Sequence, residues 1–338
     1  MFYVGLDLHT THITICVLDD NGKVHQRCTV RQIDQLMNFL ERLPGPFRVA
    51  YEASTGYGRF FELLVTVAER VVVAHPGLLK LIFRSKQKND RRDAEKLAKL
   101  LYVDQLPQVH VPSAEVRAWR ELISFRRRQI EKRTRAKNGV RCLLRSLGIT
   151  PPKKPGLWTM KGLAWLAQLE FANSMHALKR DVLLDEIQNA SSQIRRVEKE
   201  LAVYAEKNPD VTILRSIPGV GPRTAEAVVA FIDDPHRFSN SKQVGSYFGL
   251  VPSQDQSGSA NRLGHITREG SASVRQLLTE AVWQAIRRSP TIRAYLERVQ
   301  RGEKDRRKIA IVATAHYLVR VMWAMLKHGT LWKETVTA

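Results

Sequence analysis

The chain has 338 residues, of which 43% are hydrophobic and 26% are charged, a balance typical of folded globular domains. Lys and Arg outnumber Asp and Glu by 54 to 33, so the net charge is +21 and a polyanionic partner such as nucleic acid is expected. Three cysteines without metal-ligand spacing, and Asp7 inside the first apolar run, argue against a disulfide scaffold, a zinc finger and a secretion signal. The apolar stretch 309–326 contains His316 and Arg320, so we predict a buried helix of a cytoplasmic protein rather than a membrane span.

The first hundred residues alternate between strand and helix patterns. Apolar and β-branched runs predict strands at 2–8, 12–18, 23–30, 47–53 and 71–74, and helical stripes predict helices at 32–43, 59–69 and 90–102. Three hairpin-linked strands followed by alternating helices and strands form the order of an RNase H-like (RuvC-like) fold. We therefore predict an α/β catalytic domain over residues 1–107.

A basic helical region is predicted over residues 108–207. Within 115–145 there are 11 Arg and Lys residues against three Glu. The residues expected to contact nucleic-acid backbone are Arg126, Arg127, Arg128, Lys132 and Arg133. A second helix, 180–207, carries apolar residues alternately three and four apart, which predicts a coiled-coil seam. The two helices could pair with each other or with another subunit.

The remaining residues, 208–338, are predicted to form a mostly α C-terminal domain. The segment 214–232 reads LRSIPGVGPRTAEAVVAFI, the pattern of a helix-hairpin-helix. Gly219 and Gly221 would let the backbone N–H groups of a tight turn approach a phosphate. The alternative is a turn that only packs, with its apolar side chains filling a core.

Four acidic residues of the first domain are candidates for a metal site. Asp7 lies in the first predicted strand and Glu52 at the end of the fourth, while Asp90 and Asp93 lie on one face at the start of the last helix. In an RNase H-like sheet these positions converge, and clustered carboxylates are the ligands that Mg²⁺ or Mn²⁺ prefers. Asp90 and Asp93 alone could be ordinary N-terminal helix charges, but that alternative leaves Asp7 and Glu52 unexplained.

A serine- and glycine-rich loop follows a Gly-Leu-Val-Pro segment. Ser257 begins a Ser-Gly pair, and Arg262 and Arg268 follow it. A hydroxyl beside cations could act as a nucleophile on a phosphate. On the residues alone an inert linker is the simpler interpretation.

The motifs in this order resemble those of the DEDD-type insertion-sequence transposases, which join a RuvC-like N-terminal domain to a serine-bearing C-terminal transposase domain. They are GLDLH, YEASTGYG, NDRRDAEKLA, a basic helical region, SIPGVGPRTA and GLVPSQDQSGSANRLGHITREG. The family includes bridge-RNA-guided recombinases, and the resemblance covers nearly the whole chain. One departure is Arg268, at a position where Lys is common in the family. Arg keeps the positive charge but lacks the compact ammonium group of Lys, so the resemblance is weaker evidence that this side chain binds phosphate.

The resemblance implies a mechanism and partners. The acidic tetrad falls on Asp7, Glu52, Asp90 and Asp93, and the catalytic serine falls on Ser257. The serine would attack a DNA phosphate and form a covalent link, completing a composite site with the Mg²⁺-binding carboxylates of an oligomer, a dimer or tetramer. Donor and target DNA, and a noncoding guide RNA, are the partners that the resemblance implies, in a bacterial or archaeal cytoplasm at the nucleoid.

Three alternatives remain open on the sequence. A RuvC-like nuclease would use metal-activated water and leave Ser257 inert. An actin-like sugar kinase would use residues 5–11 as a phosphate loop, but it would need Gly at His9 and has no use for the positive charge. A non-enzymatic nucleic-acid scaffold would tolerate loss of all four acids.

Overall fold

The computed structural model describes residues 1–82, 90–154, 156–257 and 260–334, and the chain divides into two compact units, Met1–Ala114 and Glu115–Ala338. The finer predicted division at residues 107 and 207 stays a prediction.

The first unit is built on a five-stranded sheet with helices on both faces. Its elements in chain order are β1 (Phe2–Leu8), β2 (Ile13–Leu18), β3 (Val24–Val30), α1 (Ile33–Glu41), β4 (Phe47–Glu52), α2 (Tyr57–Leu64), β5 (Arg70–Ala74), α3 (Pro76–Ile82) and α4 (Asp90–Tyr102). The strand order is β3-β2-β1-β4-β5, with β1, β2 and β3 antiparallel and β4 and β5 parallel to β1. The predicted RNase H-like order is therefore present. The helix α3 is an addition, since no helix was predicted between the strand at 71–74 and the helix at 90–102.

The two faces of this sheet pack differently. Val4 and Leu6 of β1 point into the core under α1, where Leu36 and Leu40 are fully buried. On the opposite face α4 lies directly on β1, and a Cβ at Gly5 would lie only 2.6 Å from the backbone nitrogen of Ala98. Glycine is thus the residue that allows α4 to approach β1 closely. This contact places the first turn of α4 beside the end of β1.

The second unit begins with two long helices, α5 (Ala114–Ser146) and α7 (Ser174–Glu206), with the short α6 (Met160–Gln168) between them. The rings of Trp119 and Tyr204 lie 4.7 Å apart, and a Cβ at Gly139 would lie 3.0 Å from Leu183. Early residues of α5 therefore meet late residues of α7, so the helices run antiparallel. The sequence left open whether the two helices pair with each other or with another subunit, and in this structure they pair with each other.

The rest of the second unit is a helical bundle with one β-ribbon. Its elements are α8 (Pro209–Arg215), α9 (Pro222–Ile232), α10 (Ser241–Tyr247), β6 (Pro252–Ser257), β7 (Ala260–Ile266), α11 (Ala272–Arg288), α12 (Pro290–Gln300) and α13 (Arg307–His328). The segment Lys304–His328 is apolar and long enough to cross a membrane by composition alone, but more than half of its most apolar stretch is buried in this unit. It is the core helix predicted from residues 309–326.

The ribbon of β6 and β7 differs from the loop that the sequence predicted. The two strands pair antiparallel from Pro252 to Ile266, and Gln254 donates a side-chain hydrogen bond to Asn261 across them. All of β6 is exposed. Because neither face is buried, the segment has no alternation of apolar and polar residues, which is the signal by which strands are recognised in a sequence.

Candidate active site

Asp7 and Glu52 lie on neighbouring strands and on the same face of the sheet. The register pairs Gly5 with Ala50, and side chains alternate along each strand, so Asp7 and Glu52 follow on the face that α4 covers. The side chain of Asp7 is 19% exposed, whereas Glu52 is exposed at the end of β4. The sheet thus brings together two carboxylates that are 45 positions apart in the sequence.

Asp90 and Asp93 occupy the first turn of α4. The partial positive charge at a helix N-terminus stabilises carboxylates there. Lys96 donates a hydrogen bond of 2.8 Å to Asp93 Oδ1, while Asp90 faces two imidazoles. Asp90 and Asp93 therefore interact favourably with the N-terminus of α4. They also lie close enough to Asp7 to influence its charge.

Two histidines join the carboxylates. His9 Nε2 lies 3.1 Å from Asp7 Oδ2 and 3.4 Å from Asp90 Oδ1, and His12 Nε2 lies 3.3 Å from Asp90 Oδ2. The two imidazoles stack with their centroids 4.8 Å apart. These histidines were not predicted as site residues, although the spacing Asp7-x-His9-x-x-His12 at the turn between two strands was a visible signal.

The electrostatics of Asp7 reflect this crowding. Burial raises the pKa of Asp7 above its usual range, the nearby His9 opposes that shift, and the negative charges of Asp90 and Asp93 add to it. Three of the four predicted carboxylates therefore interact with one another, and Glu52 adjoins Asp7 through the strand register. A bound cation would relieve their mutual repulsion.

The donor atoms are compatible with a divalent cation. One ligand atom each from His9, His12 and Asp90 lie within 4.8 Å of one another, a spread that a single ion can bridge. Carboxylate oxygens suit Mg²⁺ and Mn²⁺, and imidazole nitrogens are common ligands of transition metals. The imidazole nitrogens therefore lie close enough to such an ion either to bind it directly or to orient the carboxylates that bind it.

Ser257 is the last residue of β6, and it is exposed and paired in register with Ala260. Gly258 and Ser259 lie outside the described residues. Arg262 is exposed and faces Asp255 across the ribbon. The hydroxyl of Ser257 is therefore presented to solvent near the tip of a narrow ribbon.

A group of arginines lies at the base of the ribbon. Arg268 adopts a left-handed backbone with φ of 59°, and its N–H donates to the carbonyl of Gly249 at 3.2 Å. The guanidinium of Arg275 donates to the carbonyls of Phe248, Glu269 and Gly270 and so ties the loop together. Burial lowers the pKa of Arg275, as do the nearby charges of Arg268 and Arg127. Positive charge from Arg127, Arg268 and Arg275 is therefore concentrated at the base of the ribbon.

One of the predicted backbone contacts on α5 is wrong. Arg126 is buried and forms an ion pair with the equally buried Glu226 of α9, so its guanidinium cannot reach a nucleic-acid phosphate. Arg128 and Lys132 are exposed, whereas Arg127 and Arg133 are half-buried and Arg127 also pairs with Glu131. These four arginine and lysine residues stay predicted contacts.

The glycines of the predicted hairpin have different environments. Gly219 has φ of 94°, and a Cβ there would lie 2.5 Å from the backbone nitrogen of Ala285 in α11. Gly221, which precedes α9, is exposed and has open space beside it. The packing alternative therefore accounts for Gly219, and Gly221 is the glycine that a phosphate could approach.

Comparison with known proteins identifies the family. A family profile described as "Transposase IS116/IS110/IS902 family" matches residues 211–297, and a second, for the DEDD transposases of IS110 elements, matches residues 4–149. A probable family 20 transposase of Pseudomonas aeruginosa is 28% identical over 98% of both chains. The transposase for insertion sequence element IS1111A of Coxiella burnetii is 28% identical over 96% of this chain and 89% of its own.

A relative with a different description matches part of the chain. The pilin gene-inverting protein of Moraxella lacunata is 26% identical over 43% of this chain and 47% of its own.

The two family matches, the RNase H-like sheet and the full-length transposase relatives agree with one another. The chain belongs to the IS110/IS116 family of insertion-sequence transposases, which cleave DNA and transfer its strands.

Proposed function

We propose that this transposase cuts and rejoins DNA through Ser257, in concert with an acidic metal site formed by Asp7, Glu52, Asp90 and Asp93. The observation that carries the proposal is the convergence of Asp7, Asp90 and Asp93 at the ends of β1 and α4. The four acids would hold Mg²⁺ or Mn²⁺, which would supply positive charge next to the phosphate on which negative charge develops.

The carboxylates and histidines have distinct tasks. The acids bind the ion, while His9 and His12 orient Asp7 and Asp90 through contacts of 3.1–3.4 Å. Such second-layer contacts fix the direction in which a carboxylate oxygen points. We therefore expect loss of either imidazole to weaken metal binding rather than abolish it.

Ser257 acts as the nucleophile in this proposal. Its Oγ bonds to a DNA phosphorus while the bond from that phosphorus to one DNA oxygen breaks, and the serine proton passes through solvent to the departing oxygen, which leaves as a DNA hydroxyl. A hydroxyl of a second DNA end then attacks the same phosphorus and releases Ser257 unchanged. The exposure of Ser257 and the basic side chains of Arg262 and Arg268 in the same ribbon and its base support this role.

The proposed partners follow from charge and from strand exchange. Nucleic-acid backbone would be held by four exposed or half-buried residues of α5, namely Arg127, Arg128, Lys132 and Arg133. Contacts of this kind recognise the shape of the nucleic acid rather than its sequence. We propose that a noncoding RNA supplies the sequence readout and that the enzyme acts in the cytoplasm as a dimer or tetramer. Mass measurement of the protein–nucleic acid complex tests the oligomer, and a monomeric complex would exclude it.

The test of Ser257 is a covalent adduct. Wild-type protein, metal and substrate DNA, quenched with detergent, should give a protein–DNA species that Ser257→Ala does not form. Ser253→Ala, on the same exposed strand, should leave the adduct intact. If Ser259→Ala abolishes the adduct and Ser257→Ala retains it, the nucleophile is two residues further along.

A metal-dependent nuclease that uses water is the second candidate. The acidic cluster by itself favours a nuclease. Asp7, Asp90 and the two histidines all belong to the first unit, so a metal site there would need no residue of the second unit, such as Ser257. Cleavage by Ser257→Ala, with no adduct in the wild type, would support the nuclease. Cleavage that persists in EDTA would contradict both functions.

A further inference from the structure

A cavity of about 570 Å³ lies at the C-terminal end of α5, and none of the residues used in the proposed chemistry line it. Its apolar floor includes Leu144, Ile149 and Leu157, and its rim includes Arg141, Arg145 and Lys153. Trp158, just before α6, lines it as well. This volume lies within the range of about 300–1,000 Å³ that is usual for ligand sites.

Basic residues recur every four positions along the same helix. They are Arg133, Lys137, Arg141 and Arg145. Like charges at this spacing repel each other on a helix. Burial lowers the pKa of Lys137, and the charges of Arg133 and Arg141 lower it further. Within the described ranges no carboxylate forms an ion pair with any of the four, so their charge is unneutralised there.

Trp158 is held among these cations. Lys137 Nζ lies 4.9 Å and the Arg141 guanidinium carbon 5.3 Å from the centroid of its ring. The next residue, Thr159, accepts a hydrogen bond from the N–H of Gly162 and so begins α6. The indole therefore lines the cavity in contact with two basic side chains, and its backbone directly precedes the residue that caps α6.

We propose that this cavity, the Trp158 cavity, binds an unpaired nucleotide of a nucleic-acid strand. The base packs against the indole and the apolar floor, and the phosphates on either side contact Arg141, Arg145 and Lys153. Stacking on an aromatic ring beside a cationic track is how single strands are held without sequence readout. Paired bases cannot enter, because their faces are stacked inside the duplex. RNA and single-stranded DNA share this chemistry.

The inference extends the nucleic-acid contacts of the proposed function but does not depend on its chemistry. Binding is therefore measured with full-length Ser257→Ala protein in EDTA, where neither the nucleophile nor a metal contributes. The probes are labelled hairpins, as RNA and as DNA, whose loops carry either normal bases or abasic sites. The backbone charge of each pair is identical, so a difference in affinity reports contacts to bases.

We expect the normal loop to bind about fivefold or more tightly than the abasic loop, in RNA, in DNA or in both. Adding Trp158→Leu should remove this preference while leaving the affinity for the abasic probe, and Trp158→Phe should retain part of it. A preference that survives Trp158→Leu, or is absent for both nucleic acids, would overturn the proposal.

Charge variants make the test independent of the indole. The triple variant Arg141→Gln, Arg145→Gln, Lys153→Gln should weaken binding of both loops and reduce the preference between them. The matched control removes the same charge from exposed residues of α7, with Arg195→Gln, Arg196→Gln and Lys199→Gln. We expect this control to retain the preference. Equal loss of preference in both triple variants would contradict a site at the cavity.

Discussion

Arg126 of α5 and Glu226 of α9 form an ion pair in which the side chains are only 5% and 3% exposed. Burial raises the pKa of Glu226, and the charges of Arg126 and Arg223 oppose that shift. A pair withdrawn from water in this way depends on both partners, because a single remaining charge would have no compensation. The pair therefore joins the long basic helix α5 to α9 of the helical bundle. Separating the two helices there would leave both charges without their partner.

Removing one partner should destabilise the fold. We expect Arg126→Met to lower the free energy of unfolding by about 3–5 kcal/mol, because Glu226 is then left buried and unpaired. The double variant Arg126→Met, Glu226→Leu should recover most of that loss. Urea unfolding followed by circular dichroism measures both. If the single variant is as stable as the wild type, the pair does not stabilise the native state.

Two basic residues of α5, the half-buried Arg127 and the exposed Arg128, should set the salt dependence of DNA binding. Arg127→Gln with Arg128→Gln should weaken binding and flatten the plot of log affinity against log salt by about 0.9 for each phosphate that the variant no longer neutralises. Arg31→Gln with Arg42→Gln, which removes equal charge from exposed residues of the first unit, is the control. An unchanged slope in the α5 variant would remove these residues from the interface.

Metal binding can be measured without catalysis. Asp7→Asn retains the shape of the side chain but loses its anionic oxygen, so we expect Mn²⁺ binding by calorimetry or by electron paramagnetic resonance to disappear together with cleavage. His12→Ala should lower Mn²⁺ affinity by about 10- to 100-fold, as expected for a residue that orients a ligand. Asp34→Asn, in the first turn of α1, should bind normally. A normal titration with Asp7→Asn would refute the metal site.

His316 should make stability depend on pH. Burial, and then the charge of Arg320, lower the pKa of His316, and its Nε2 is buried without a hydrogen-bond partner within the described part of the chain. The unfolded chain has the ordinary pKa of about 6.5. The stability due to the neutral imidazole is therefore present above that pH and is lost as pH falls through the lower folded-state pKa.

The measurement compares urea unfolding at about pH 7.5 and about pH 5.5, on either side of the ordinary histidine pKa. We expect His316→Gln to lose less stability between these conditions than the wild type does. His25→Gln, a change at an exposed histidine of β3, should behave like the wild type. Parallel losses in wild type and His316→Gln would exclude this imidazole as the source.

The sheet and the acidic residues were predictable because their signals are local. Runs of apolar residues mark β1 and β4, and Asp7 and Glu52 stand out within or after such runs. The strand order then follows from hairpin and crossover connections, which places the two residues side by side. The spacing of His9 and His12 after Asp7 was visible as well, but the contact of His12 with Asp90 joins residues 78 positions apart, and the spacing alone does not reveal it.

Other features could not be predicted, because their causes lie far away in the sequence. The burial of Arg126 depends on Glu226, which is 100 positions later, and three consecutive arginines give no sign that one of them points inward. Gly219 resembled a phosphate-binding glycine, but its role is set by Ala285 on another helix. The ribbon of β6 and β7 has no buried face, so its sequence shows no strand periodicity.

Within the residues that the structure describes, that ribbon is anchored at its root. Its root is fixed by the Arg275 guanidinium, which holds three carbonyls, whereas its outer half has solvent on both faces. A two-stranded ribbon without a core is marginally stable by itself. The direction of the ribbon is therefore set by the contacts at its root rather than by packing along its length. In the proposed reaction, the end of the ribbon far from Arg275 would present Ser257 to a phosphate without any rearrangement of the helical bundle.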